Sequence, residues 1–322
     1  MVKALIVSSL VYTANAGVVY GIWNIDANTA GAGLFDLASY QPTTRYQLAG
    51  YQHFNTSNQY STFNEVTREV SFFVRSLTDG YNYLYGLNVD TFTGTPTNIR
   101  FDPSKFAVLS LESSQTSNTN DLFLVMATQS TSATNSFIIT KINSQTGLYT
   151  IYDTIQNYNF ASAAYDSRNG VFVVIMTNTT NYVVNTYSVN GVFTGSNIYT
   201  IGNVNSNYKP TSLPYNLVYL SDFSAFYMNI DLNGRPEVFQ LYAPNKQLYN
   251  RAWYQNIPWT VAQANGIGQS FKQIYSNTKV YSGNQYQQYS VNKFNGAQWT
   301  YSKLTFLQMI NFWGVTTQTE AN

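Results

Sequence analysis

Side chains able to do bond chemistry are sparse in this sequence. His53, in YQHFNTSN, is the one histidine of the chain, and cysteine is absent. A His pair, a His-rich zinc site, thiolate chemistry and disulfides are therefore excluded within one chain. His53 is left with the role of a lone general base or that of a solvated loop residue, and a single loop histidine is more often the second. Carboxylates are few and scattered. Asp231, in DLNGRPE, is the nearest thing to a calcium loop, but the dense alternation of oxygen ligands that a hard cation needs is missing, so DLNG reads as a hairpin turn.

Aromatic rings are plentiful instead. The chain carries 28 Tyr and 20 Phe, whereas charged residues make up only 10% of it, far below the ~25% of an average soluble protein. Large rings either fill a core or stand exposed as platforms that stack on the flat face of a sugar. Most must be core. Tyr51, Tyr60, Tyr81, Tyr158, Tyr208 and Tyr215 lie in turn-like contexts beside polar residues, a pairing of ring face and hydrogen-bonding group that a neutral glycan can use.

With 44% hydrophobic residues the chain can bury a large core, so the polar bias belongs to surface and turns rather than to disorder. Sixteen basic and fifteen acidic residues give a net charge of +1, and no basic run exists to neutralise a row of phosphates, which argues against nucleic acid as a partner. The first residues, MVKALIVSSLVYTANAG, place Lys3 ahead of an apolar run and end on Ala14-Asn15-Ala16, the small-x-small pattern of signal-peptidase cleavage. Residues 1–16 are thus expected to be a signal peptide and the product secreted, with a retained first strand over residues 4–12 as the competing reading. No later stretch has the ~20 apolar residues of a membrane-spanning helix. Asn55 in NTS and Asn178 in NTT are sequons in turn contexts, where a glycan would not open a sheet.

The elements that must hold these residues are visible in NGVFVVIMTNTTNYVVNTYSVNG, residues 169–191, which opens and closes on Asn-Gly. Val171 to Met176 is apolar without alternation, as in a strand covered on both faces, and Tyr182 to Val189 is a second strand. Asn-Gly favours primed hairpin turns, in which both central residues reach positive φ. Ser162 to Ser167 before the first pair and Val192 to Ile201 after the second complete a four-strand antiparallel meander. Taking the most apolar strand as an anchor, the unit recurs at Val18, Val70, Leu122, Val171, Ala225 and Val280, with separations of 52, 52, 49, 54 and 55. Asp79-Gly80, Gly94, Gly147, Asn233-Gly234 and Asn295-Gly296 supply further turn signals.

Meanders of this length repeating along a chain resemble the β-propeller superfamily, whose blades bury both faces by packing radially on their neighbours. The resemblance rests on period alone: there is no WD dipeptide signature, kelch double glycine or sialidase S-x-D-x-G-x-x-W box. It implies an all-β fold over residues 17–322, a six-bladed propeller of four-stranded antiparallel blades. Residues Met309 to Val315, MINFWGV, would then supply the inner strand of blade one and close the ring, sparing an exposed sheet edge. A pair of sandwich domains is the competing architecture.

The resemblance also implies a binding face, because loops joining one blade to the next gather around the central channel. On this register they carry His53 and Tyr60, Asp102 and Ser104, Tyr158 and Asn159, Lys209 and Tyr215, and Asn265 with Gln269. Tyr60, Tyr158, Asn159, Tyr215 and Asn265 are the expected binding residues. Without a catalytic constellation, the expected function is a secreted, non-enzymatic module that binds an extracellular protein or neutral glycan and needs no cofactor. Two alternatives stand beside it. One is a calcium-dependent hydrolase or lactonase, with Asp102, Asn159 and Asn265 converging on a central ion as the resemblance to such propellers implies. The other is a coat or adhesive protein that self-associates through Tyr-rich faces.

Overall fold

A computed structural model of the chain describes residues 18–36, 41–54, 60–64, 66–114, 121–128, 136–158, 160–166, 168–177, 182–202, 214–220, 224–232, 235–253, 262–268, 274–282, 286–294, 299–304 and 311–315. The described residues contain no α-helix, and their strands fall into antiparallel rows. In the first row β1 (Val18–Asp26), β2 (Thr29–Asp36) and β3 (Pro42–Ala49) follow in order, and β25 (Asn311–Val315) pairs on the other side of β1, with Val315 opposite Val19. The second row sets β4 (Tyr51–Gln52) and β5 (Ser61–Asn64) end to end along β6 (Glu69–Ser76), followed by β7 (Asn82–Asn88) and β8 (Thr93–Phe101). The third row is β9 (Phe106–Ser113), β10 (Asp121–Thr128), β11 (Ser136–Asn143) and β12 (Tyr149–Gln156). The fourth is β13 (Phe160–Asp166), β14 (Val171–Thr177), β15 (Tyr182–Ser188) and β16 (Phe193–Gly202). The fifth is β17 (Pro214–Leu220), β18 (Ala225–Leu232), β19 (Arg235–Tyr242) and β20 (Gln247–Trp253). The sixth is β21 (Ala262–Gly268), β22 (Ile274–Ser282), β23 (Tyr286–Phe294) and β24 (Trp299–Leu304).

Each apolar anchor of the sequence lies in the second strand of its row: β1, β6, β10, β14, β18 and β22. The reason is packing on both faces. In β14, Phe172, Val174 and Met176 join a core shared with Phe123, Val125 and Ile139 of the third row, while Val173 and Ile175 join one shared with Leu217 and Phe239 of the fifth. A strand between two cores has no solvent face, so its sequence cannot alternate. Two further cores fill the spaces between rows one and two and between rows two and three. Outer strands bury far less: β3, β8 and β12 are mostly exposed or half-exposed along their length.

The first strands of neighbouring rows are tied by hydroxyl groups. The Thr62 Oγ1 accepts a bond from the Ser113 N–H at 3.0 Å, and the Ser162 Oγ accepts one from the Leu217 N–H at 3.0 Å. Between them, Ser110 Oγ both accepts from the Ala163 N–H at 3.1 Å and donates to the Ala163 carbonyl at 3.3 Å. The sequence separations are 51, 55 and 53, the period of the repeat. Contact between first strands runs from β5 to β9, β13, β17 and β21, then to β25 and back to β5.

The turns differ from the primed hairpins expected. Gly170 and Gly191 have positive φ, +65° and +80°, but Asn169 and Asn190 do not. At Asp166 the carboxylate Oδ1 accepts the N–H groups of Arg168 and Asn169, and the Gly170 N–H returns to the Asp166 carbonyl at 2.9 Å. The same device opens on Asn64, Ser76, Asn88 and Asn143 and ends four residues later on a left-handed residue: Arg68, Gly80, Phe92 and Gly147. A short polar side chain capping the turn four residues upstream, rather than an Asn-Gly pair, sets the conformation. The Asn190-Gly191 hairpin is a looser relative, with the Gly191 N–H on the Ser188 carbonyl and a bulge where Thr186 and Tyr187 meet β16.

Two further features departed from the regular meander. β16 and β20, the outer strands of the fourth and fifth rows, pair in parallel over Thr200–Gly202 and Gln247–Tyr249. The first strand of row two is interrupted: the chain leaves β6 after Gln52 and rejoins it at Tyr60, whose carbonyl accepts the Phe73 N–H at 2.8 Å. The proposed leader and both sequons, Asn55 and Asn178, lie outside the described residues.

Candidate functional site

Of the expected binding residues, two have described side chains, Tyr60 and Tyr158. Tyr60 is only 7% exposed, in the core between rows two and three, with its ring stacked 4.1 Å from that of Phe54. Phe54 covers the face that a sugar would need, which corrects the reading of Tyr60 as a platform. Tyr158 is half-buried against the core of rows three and four, just after Asn157 at φ +70°. Tyr215 and Asn265 are strand residues, opposite Asn229 in β17–β18 and Asn277 in β21–β22, where loops were expected. Asn159, Tyr208, Lys209 and Gln269 lie outside the described residues. Tyr51 packs edge-on against Tyr83 and Tyr85, and the Tyr81 ring lies under the Arg100 guanidinium at 5.0 Å.

Asp102 is committed to its own turn. Its Oδ1 accepts the Ser104 Oγ–H at 2.6 Å and the Ser104 N–H at 2.9 Å, which hold the carboxyl below its usual range. His53 is not the solvated loop residue expected. It sits where the chain departs from β6, is 4% exposed, and neither ring nitrogen has a hydrogen-bond partner. Its backbone is gripped by Asn24, whose Oδ1 accepts the His53 N–H at 2.7 Å and whose Nδ2 donates to the His53 carbonyl at 3.0 Å. Burial pushes the imidazole down to about 3, so it is neutral at physiological pH. Sequence reading also passed over Glu112, on first strand β9. Its carboxyl is enclosed by protein and raised well above the carboxylate range by desolvation, although the residue keeps some accessible surface. A lone acid in the apolar strand FAVLSLES was the available signal.

Rows three and four meet at the end where β9 leads into β10 and β15 turns toward β16. A cleft of about 90 Å³ lies there, lined by Ser114, Asp121, Leu122, Phe123, Lys141, Phe172, Val189 and Asn190. Its polar lip is an ion pair, Lys141 Nζ to Asp121 Oδ2 at 2.6 Å, with Asn143 Nδ2 donating to Asp121 Oδ1 at 3.1 Å. The volume exceeds several-fold the ~10–15 Å³ that one water needs. Along outer strands β12 and β16 and the turns before them, Leu148, Tyr149, Ile151, Val192, Phe193 and Ile198 are each more than half exposed.

Register explains how these side chains are distributed. Tyr149 lies opposite Ile142, and Ile151 opposite Thr140, on the face of row three whose inner residues Leu111, Leu124 and Ile142 pack on row two. Phe193 lies opposite Tyr187 and Ile198 opposite Val183, on the face of row four that packs on row three. Edge strand β12 is therefore flanked by apolar side chains in the grooves on both sides of it. Isolated exposed apolar residues are ordinary; here six lie along two neighbouring outer strands, β12 and β16, and the turns before them.

No protein-family model matches the chain, and no curated protein matches it either. Solved structures do. A protein from Lactobacillus plantarum superposes with a TM-score of 0.52 at 13% identity, over 90% of this chain and 82% of that one. A chain of a nidogen/laminin complex matches at 0.48 and 13% identity, over 87% and 89% of the two chains. TolB from Acinetobacter baumannii matches at 0.46 and 10% identity, over 93% and 69%. These structural neighbours are β-propellers, in keeping with the all-β meanders of this chain.

Proposed function

We propose that the chain is a six-bladed propeller, each row of strands being one blade, and that it is a secreted module binding protein at the outer rim of blades three and four. Blade number is supported by the six rows and by the circuit of contacts among their first strands. Closure by β25 is supported by its pairing with β1. The observation that carries the binding function is the exposed apolar set along outer strands β12 and β16, with a cleft bearing a polar lip at the end of the same two rows.

The test compares the parent protein with a Phe193→Ser, Ile198→Ser variant as bait for extracellular proteins of its source. The reading requires partners retained by the parent and lost from the variant while the variant's melting temperature is unchanged. Equal retention by both would overturn the rim as the site. Retention on neutral glycans that Tyr158→Ala abolishes, with no protein partner lost from the rim variant, would return the function to the sugar platform.

A further inference from the structure

We propose that β12 is a self-pairing edge: two copies of the chain join antiparallel, β12 to β12, across a two-fold axis at Thr150, which sets Thr150 opposite its counterpart and Tyr149 opposite Ile151. The inference rests on the reading of this rim as an interaction surface and names its partner.

The outer strands differ in how their edges are guarded. An edge strand offers unpaired N–H and C=O groups to any other strand, and proteins guard such edges with proline, charge or a covering element. Here β3 begins at Pro42 and exposes Arg45, β8 carries exposed Pro96 and Arg100, and β24 carries Lys303. β16 and β20 cover part of each other. β12, at the end of its row, has no proline and no basic residue, and its bulge at Tyr152 does not set it apart, since β3 and β8 pair with register shifts too. Its one charge, Asp153, is turned to local use: Oδ2 accepts the Tyr187 hydroxyl at 3.0 Å and Oδ1 the Thr154 N–H at 2.8 Å.

A second copy of β12 fits this edge. An added strand sends alternate side chains to the two sheet faces, and apolar side chains wait on both sides of β12: Tyr149 and Ile151 on one, Phe193 and Ile198 on the other. β12 itself supplies the apolar segment needed, Leu148 to Tyr152, which contains no charge, so a two-fold brings no like charges face to face. A net charge of +1 leaves little long-range repulsion between copies. Joining outer edge to outer edge is moreover what this chain already does where β16 meets β20. A closed two-fold contact consumes the edge of both partners and ends at a dimer.

Sedimentation velocity of the intact protein at increasing concentration should show a monomer–dimer equilibrium. Ile151→Lys, an exposed edge charge, should leave only monomer with unchanged melting temperature. Because the chain lacks cysteine, Thr150→Cys should give a disulfide-linked dimer on mild oxidation, whereas Thr95→Cys, on the guarded strand β8, should not. A parent protein that stays monomeric at every concentration overturns the proposal, as does a dimer that survives Ile151→Lys or equal cross-linking at Thr95→Cys. A monomeric parent whose rim variant still loses a protein partner would overturn self-pairing and leave the binding function standing.

Discussion

Replacing Ser110 by alanine deletes a hydroxyl that ties the first strands of rows three and four together. Ser110 is fully buried, as is Ala163, and the two bonds between them use the Ala163 N–H and carbonyl on the side turned away from β14's ladder. Alanine fits without a clash, so the loss is that of unmade hydrogen bonds: about 1–3 kcal/mol for the stranded N–H, with a smaller cost at the carbonyl. A total of about 2–3 kcal/mol is expected. With an unfolding entropy of about 2.1 cal/mol/K per residue, a chain of 322 residues melts with about 0.7 kcal/mol/K, so the melting temperature should fall by about 3–4 °C. Thermal melts followed by near-ultraviolet circular dichroism, with Ser104→Ala in the exposed Asp102 turn as a control, would measure it. A fall of less than about 1 °C would refute the idea that the hydroxyl ties hold neighbouring rows in register.

At Gly191 a Cβ would run into the Tyr152 ring, and φ is +80°, so Gly191→Ala should cost more than the ~1 kcal/mol of the turn conformation alone; a urea melt within 0.5 kcal/mol (about the error of such a fit) of the parent would contradict this. His53, pushed down to about 3 from 6.5 in the unfolded chain, stays neutral while the unfolded state takes up a proton, so its contribution is complete above 6.5 and is lost as the pH falls from there toward 3. The loss should reach about 2 kcal/mol near pH 5 and be absent in His53→Asn, measured as the pH slope of unfolding free energy. Glu112, raised above 4.5, has the opposite sign: its contribution is complete below 4.5 and is lost as pH rises through the folded value, so Glu112→Gln should be more stable than the parent at neutral pH, and a destabilised variant would contradict the assignment. Deleting residues 307–322 removes β25 from β1 and should unfold or aggregate the protein; unchanged melting would sink closure by that strand.

The architecture was legible because it depends on a local quantity. A second strand packed between two cores has to be apolar at every position, as Leu122 to Ala127 and Phe172 to Met176 are, and that signal survives although the units share little sequence. Turn positions were legible for a different reason, and their conformation was misread. Glycine marks Gly80, Gly147 and Gly170, but the same turn ends on Arg68 and Phe92, where a scan for glycine sees nothing. The common signal is the Asn, Asp or Ser four residues earlier, whose side chain caps the turn whatever follows.

The site was less legible, since exposure in stacked rows depends on distance from the centre, which local context does not encode. Tyr60 and His53 have the polar neighbours of a surface loop, yet both stand in the line of a first strand and are buried by residues far away in sequence. Leu148, Tyr149 and Ile151 stand outermost in their row and face solvent. Apolar residues in this chain therefore occupy two opposite environments, set by their place in the row: in a second strand they join neighbouring rows, and in outer strand β12 they face solvent. The sequence distinguishes the two through what accompanies them. Continuous runs mark the first, and the absence of Pro, Lys and Arg from β12, beside their presence in β3 and β8, marks the second.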